Sequence, residues 1–180
     1  MIRIERISTG QTALYNYMER LLIASFPEEE YRELSAMRDY TDTKPEFYNN
    51  IIFNNDIPVG FVTYWDLGDF YYVEHFAIDP EQRNGGYGKK LLNHLFGLLD
   101  KPIALEVEYP NDELSKRRIN FYQREGFELW ENEYYQPPYR TGFDKLPMYI
   151  MVYGDFDSKK DFEKVKGLIH QKVYDYKTAK

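Results

Sequence analysis

The sequence predicts a mixed α/β (α+β) domain with a mostly antiparallel sheet, and three observations carry that expectation. Residues 47–78 hold three apolar runs separated by two short turn signals, Asn54-Asn55-Asp56 and Leu67-Gly68-Asp69, which read as an antiparallel meander. Residues 70–125 then alternate strand, helix, strand and helix patterns, which adds a parallel step through a right-handed crossover. Between the meander and the first of these helices lies a glycine-rich turn, Gly85-Gly86-Tyr87-Gly88.

Each element follows from local pattern. Alternation predicts a strand from Ile2 to Ile7. A helix is expected from Thr12 to Ser25, with Leu14, Tyr17, Met18, Leu21 and Leu22 on one face, and Phe26-Pro27 stops it. A second helix is expected from Glu28 to Arg38, because Pro27 suits a first turn and Glu28, Glu29 and Glu30 complement the positive helix end. Strands at Phe47 to Phe53, Pro58 to Trp65 and Phe70 to Ile78 form the meander. A helix from Tyr87 to Leu99, a strand from Ile103 to Glu108 and a helix from Glu113 to Glu125 follow, the last closed by Gly126 as a left-handed cap. Phe127 to Tyr135 and Pro147 to Tyr153 supply two more strands. From Ser158 to Lys177 the stripe Phe162, Val165, Ile169 and Val173 predicts a C-terminal helix packed on its own domain, with a dimer contact as the alternative. Residues 1–154 are therefore expected as the domain and 155–180 as a helical extension.

Composition narrows the function classes. A chain of 180 residues suits one domain with a substantial core, and 43% apolar with 29% charged residues is ordinary for a soluble protein. A net charge of −7 argues against a nucleic-acid or anionic-membrane surface, where a basic face is expected. The lack of cysteine excludes disulfides, thiolate metal sites and a cysteine-acyl mechanism. The start, MIRIERIS, lacks the basic and apolar regions of a secretion signal, and no apolar run of about 18 residues is present, so a cytoplasmic location is expected. Eighteen tyrosines serve either as half-buried strand residues or as the lining of a substrate cleft or self-association face, and a monomer and a homodimer both stay open.

The stretch from Glu74 to Leu92, EHFAIDPEQRNGGYGKKLL, runs from an apolar strand through Asp79-Pro80 into the glycine turn and an amphipathic helix. Glycines let the backbone approach a ligand, and the first N–H groups of a helix have no intrahelical partner, so this layout builds a diphosphate cradle, with Lys89 and Lys90 adding positive charge. A Walker A loop is excluded because Gly88-Lys89 is followed by Lys90 and not by a hydroxyl residue. A dinucleotide fingerprint fails at Leu91. Arg83-Asn84-Gly85-Gly86-Tyr87-Gly88 fits R-x-x-G-x-G and resembles the acetyl-CoA pyrophosphate loop of the GNAT superfamily of N-acetyltransferases. Phe76-Ala77-Ile78 resembles that family's cofactor-binding strand end, and Phe121-Tyr122-Gln123-Arg124-Glu125-Gly126-Phe127 resembles its second signature. The resemblance covers about residues 1–154 and implies a twisted GNAT sheet in which two neighbouring strands splay to admit the pantetheine arm of acetyl-CoA.

Acetyl transfer from a thioester to an amine needs a neutral nucleophile, a polarised carbonyl and a proton for the departing thiolate. The resemblance implies that Phe76, Ala77, Ile78, Arg83, Asn84, Gly85, Gly86, Tyr87, Gly88 and Lys89 hold the cofactor, and that Tyr122 is the general acid. The alternative for Tyr122 is an anchor for its helix. Glu74 is the first choice as base, with Tyr72 on the same side of the strand as another position used by relatives. Glu106 and Glu108 share one face of the following strand, and with Glu74 they are expected either to attract a cationic amine or to be ordinary strand-end carboxylates. His75 points to the other face and reads as a core or interface histidine.

Where relatives often have asparagine seven residues before the tyrosine and alanine four before it, this chain has Ser115 and Arg118. Ser115, or Asn111 in its place, is the expected contact to the pantetheine arm. Tyr134-Tyr135-Gln136-Pro137-Pro138-Tyr139-Arg140 reads as a stiff aromatic wall beside the acceptor. The resulting expectation is an enzyme acetylating a small-molecule or peptide amine by direct attack in a ternary complex, without a metal. The alternative is a noncatalytic acyl-CoA-binding or regulatory module.

Overall fold

Hydrogen bonding orders the seven strands of the sheet as β1-β2-β3-β4-β5-β7-β6 in a computed structural model that describes residues 1–177. The strands are β1 (Ile2–Arg6), β2 (Phe47–Asn54), β3 (Ile57–Asp66), β4 (Tyr71–Ile78), β5 (Ile103–Glu108), β6 (Glu128–Gln136) and β7 (Leu146–Tyr153). The helices are α1 (Thr12–Ser25), α2 (Leu34–Thr43), α3 (Tyr87–Leu98), α4 (Glu113–Arg124) and α5 (Phe162–Leu168). The pairings β1/β2, β2/β3, β5/β7 and β6/β7 are antiparallel. The chain groups into two compact units, residues 1–65 with 73–100, and residues 66–72 with 101 onward. Among the described residues no helix is long and apolar enough to cross a membrane.

In the first unit the β2–β3 hairpin closes at Asn55, in the left-handed region at φ 55°, as the Asn54-Asn55-Asp56 signal requires. The pairing slips between Ile52 and Phe53, which face Gly60 and Pro58, so Val59 is the extra residue of a bulge. That bulge positions the end of β4. The Val59 carbonyl accepts the Asp79 N–H at 2.9 Å. A Cβ on Gly60 would lie 2.3 Å from the Ala77 carbonyl oxygen, so only glycine permits this approach. Met18, Leu22, Met37, Ile51, Ile52, Phe61, Leu91 and Leu95 are buried in this unit's core.

The expected helix from Glu28 to Arg38 does not form as one element. Glu28–Glu30 is a single 3₁₀ turn, Tyr31 is extended, residues 31–33 are outside any helix, and α2 starts at Leu34. The reason is tertiary. The break at residues 31–33 lets the Arg32 guanidinium reach Glu74, 42 residues away, and the Glu30 carbonyl lies 2.8 Å from His75 Nε2. These long-range bonds outweigh a local helix preference that amounts to a few tenths of about 1 kcal/mol per residue.

In the second unit β6 carries a wide irregularity, with Trp130 facing Ile150 and Tyr134 facing Met148. Three residues, 131–133, thus stand opposite Tyr149 alone, and the strand resumes with Tyr134 buried. The C-terminal segment begins later than expected. Asp157 Oδ1 accepts the N–H groups of Lys159 and Lys160 in a turn, α5 starts at Phe162, and the chain then widens into a π-helical turn over Ile169–Val173. Its end is fixed by Asp175 at φ 50° and a 2.8 Å bond from the Tyr176 N–H to the His170 carbonyl. The apolar stripe is as expected, since Phe162, Val165, Ile169 and Val173 are all buried. Phe162 packs edge-on against Trp130 and Tyr134 of β6, which ties this segment to its own unit.

Candidate active site

The glycine turn has the geometry of an anion cradle. Asp79 Oδ1 accepts the Glu81 N–H and opens a short 3₁₀ turn over Pro80–Gln82, after which Arg83 is extended and Asn84 adopts φ 73°. Gly86 then serves as the N-cap of α3 at φ 66° and ψ 23°, a left-handed conformation that strains any residue with a Cβ. No side chain caps this helix and no acidic residue stands in its first turn. The amides that begin α3, at Tyr87 and Gly88, therefore retain their positive end for an incoming anion. A Cβ on Gly86 would meet nothing within 4 Å, so the approach is open. Arg83, Asn84, Lys89 and Lys90 are exposed around it. The Tyr87 ring lies under Gly85, and its hydroxyl accepts from Asn54 Nδ2 at 3.2 Å, which fastens the turn to the β2 hairpin. These residues fit the diphosphate of coenzyme A. Phe76, Ala77 and Ile78 lead into the turn as half-buried residues.

Glu74 is placed differently from its expected role as proton acceptor. Its side chain is fully buried, and its two carboxylate oxygens are bridged by the Arg32 guanidinium, with Trp65 Nε1 donating to Oε2 at 2.9 Å. The guanidinium also lies over the rings of Tyr40, Phe47 and Trp65, with centroid distances of 4.7, 5.6 and 5.7 Å. Burial alone raises the Glu74 carboxyl pKa, but Arg32 and the hydrogen bonds outweigh it and hold the group below its ordinary 4.5. A carboxylate stabilised in its ionised form is a poor base. Next to it, His75 packs edge-on against Phe26, and burial lowers its pKa below 6.5, as expected of a core histidine.

In the second unit Tyr122 is buried between Phe121 and Phe127, and burial raises its phenol to about 12. It thus remains a proton donor at neutral pH. Asp112 caps α4 by accepting the Ser115 N–H at 2.7 Å, and the buried Ser115 hydroxyl donates to Glu108 at 3.0 Å. The expected pantetheine contact of Ser115 therefore meets a hydroxyl already in use. Asn111 is exposed in the turn before α4, its N–H bonded to the Tyr109 carbonyl at 2.7 Å.

Glu74 accepts from Arg32 and Trp65, and Glu108 accepts from Ser115. Glu106 accepts hydroxyls from Tyr134 and from Tyr174, the latter at 2.7 Å, and the Tyr174 oxygen lies 3.3 Å from that of Tyr72. Burial, then the charge of Glu106, pushes the phenols of Tyr134 and Tyr174 well above their usual range. Sequence reasoning missed Arg32 and Tyr174. An arginine in a predicted helix gives no sign of a partner 42 residues away, and Tyr174 falls beside the apolar stripe it belongs with.

The profile of the acetyltransferase (GNAT) family matches residues 12–127, from α1 through the Gly126-Phe127 signature. The chain belongs to this family, and acetyl transfer is the activity that membership supports. A protein of Bacteroides thetaiotaomicron assigned to GNAT-family acetyltransferases is 57% identical, over 97% of this chain and 99% of that one, with a TM-score of 0.95. The ribosomal-protein-S18-alanine N-acetyltransferase of Escherichia coli shares the fold at 22% identity and TM-score 0.57, over 85% of this chain and 93% of that one. Arabidopsis thaliana Naa50, solved with the bisubstrate analogue CoA-Ac-MVNAL, does so at 17% identity and TM-score 0.53, over 85% and 98%. No curated protein matches the sequence.

Proposed function

We propose that this acetyltransferase moves the acetyl group of acetyl-CoA to a primary amine by direct attack in a ternary complex. The observation that carries the reading is the uncapped start of α3, where a left-handed glycine, free amides and adjacent basic residues replace the side-chain cap a helix ordinarily has. Acetyl-CoA supplies an activated thioester and leaves as a thiol. Residues 83–89 bind its diphosphate, and Phe76, Ala77 and Ile78 present the strand end along which its arm is held. The buried Tyr122 phenol donates a proton to the departing sulfur. The acceptor arrives as an ammonium, loses one proton before attack and a second as the amide forms; one proton goes to sulfur, so one is released overall.

Glu74 is assigned to holding β4 and the 31–33 segment in register, since its charge is already satisfied by Arg32. A small-molecule or peptide amine is the acceptor class, and the acidic chain favours a cationic one. A panel of amines assayed for acetyl-CoA-dependent thiol release tests the reading. Gly86→Asp should abolish coenzyme A binding while the protein stays folded, because it brings a Cβ and a negative charge to the cradle. Unchanged coenzyme A affinity in that variant would remove the diphosphate assignment. Binding without thiol release from any amine would favour a noncatalytic acyl-CoA module.

A further inference from the structure

Two residues of the glycine turn, Asn84 at φ 73° and Gly86 at φ 66°, are left-handed, and such a turn persists at a residue with a Cβ only where the surrounding structure holds it. Backbone bonds bracket the turn, from the Arg83 N–H to the Pro80 carbonyl at 3.4 Å before it and from the Lys90 N–H to the Gly86 carbonyl at 3.1 Å after it. The side chain that spans it is Tyr87. A Cβ on Gly85 would lie 2.4 Å from Cε2 and 2.7 Å from Cζ of the Tyr87 ring, so the ring fills the space that a side chain at 85 would take. The two glycines are therefore small for different reasons. Gly86 answers to its own backbone, and Gly85 to the ring beneath it.

The ring is held from outside the turn. Asn54 Nδ2 donates to the Tyr87 hydroxyl at 3.2 Å, and Asn54 ends β2 paired with Ile2 of β1 on one side and Ile57 of β3 on the other. The donor is thus fixed by the sheet. Lys90 Nζ stands 5.1 Å from the centroid of the same ring, which places a cation beside the turn. All of these residues belong to the first unit. On the basis of the diphosphate reading, we propose that Asn54 is a positioning residue for coenzyme A. Through the Tyr87 phenol it holds the glycine turn in the shape that presents the first α3 amides, and Gly85 is required by that ring more than by the cofactor. A site whose donors are already arranged binds more tightly, because less order is imposed when the ligand arrives.

The test titrates coenzyme A calorimetrically into the full chain and its variants, with melting temperature recorded for each. Asn54→Ala and Tyr87→Phe remove the same bond, so each should raise the Kd about fivefold, and the double variant should raise it no further. Tyr87→Phe keeps the ring, so it tests the bond even where Asn54→Ala lowers the folded fraction. Gly85→Ala should raise the Kd about tenfold by displacing the ring, and should add nothing on top of Tyr87→Ala. In phosphorus NMR of the saturated complex, the diphosphate resonances should move in Tyr87→Phe, which a loss of stability alone would not cause. Wild-type affinity in Asn54→Ala and Tyr87→Phe, unmoved diphosphate resonances, additive losses in the double variant, or a Gly85→Ala effect that persists without the Tyr87 ring overturns the proposal. Gly86→Asp separates it from the reading beneath it. Loss of binding in Gly86→Asp with none in Asn54→Ala removes the positioning role alone, whereas wild-type binding in Gly86→Asp removes the diphosphate reading and this role together.

Discussion

Glu74 and Glu106 are both strand glutamates, and they are held in opposite ways. In the first unit the Glu74 carboxylate is sealed from solvent and bridged by a guanidinium, so its charge is balanced where it stands. In the second unit Glu106 is partly exposed and receives phenol hydroxyls from Tyr134 and Tyr174, which contribute hydrogen bonds and no opposing charge of their own. The difference teaches that a carboxylate's partner, more than its strand position, decides how its charge is held. A guanidinium partner makes the pair structural, because removing either member strands a buried charge. A phenol donates a hydrogen bond and brings no charge of its own.

The comparison breaks most visibly at Arg32. Arg32→Ala leaves Glu74 ionised and buried, and should cost about 3–5 kcal/mol of stability. That loss should appear as a melting temperature lower by roughly 10 °C. A variant that melts like the wild type would show that the pair is not the anchor described here.

Glu74→Gln is the sharper experiment, although its effect is smaller. The amide keeps the shape and one acceptor oxygen but leaves the buried Arg32 guanidinium without its counter-charge, so the expected loss is about 3 kcal/mol, at the low end of the range for breaking the pair, with turnover per folded molecule unchanged. A folded Glu74→Gln protein whose turnover falls by about 10²–10⁴-fold would restore Glu74 as the base.

The smallest effect is in the pH dependence of stability. The folded-state pKa of His75 lies below its ordinary 6.5, so its contribution is fully present above that pH and is lost as pH falls below it. Glu74, held below 4.5, adds a second loss only at more acidic pH. Melting curves should therefore show stability starting to decline below about pH 6.5. His75→Asn should flatten that first decline and leave the second, and a wild-type protein equally stable from pH 7 to pH 5 would contradict the His75 assignment.

What the sequence determined by itself were the features set by short-range physics. The turns at Asn54-Asn55-Asp56 and Gly85-Gly86, the spans of α1 and β5, and the stripe Phe162, Val165, Ile169 and Val173 follow from periodicity, turn residues and caps within a few positions of one another. The uncapped helix start at Gly86 was legible for the same reason, since it is a property of the residues that form it. Only the tertiary structure decided how the carboxylates are used. Arg32 left the expected helix to reach Glu74 across 42 positions, and Tyr174 reached Glu106 across 68. Nothing local marks such pairs, because an ion pair or a phenol–carboxylate bond depends on distance in space and on the water excluded around it, neither of which is a property of sequence neighbours.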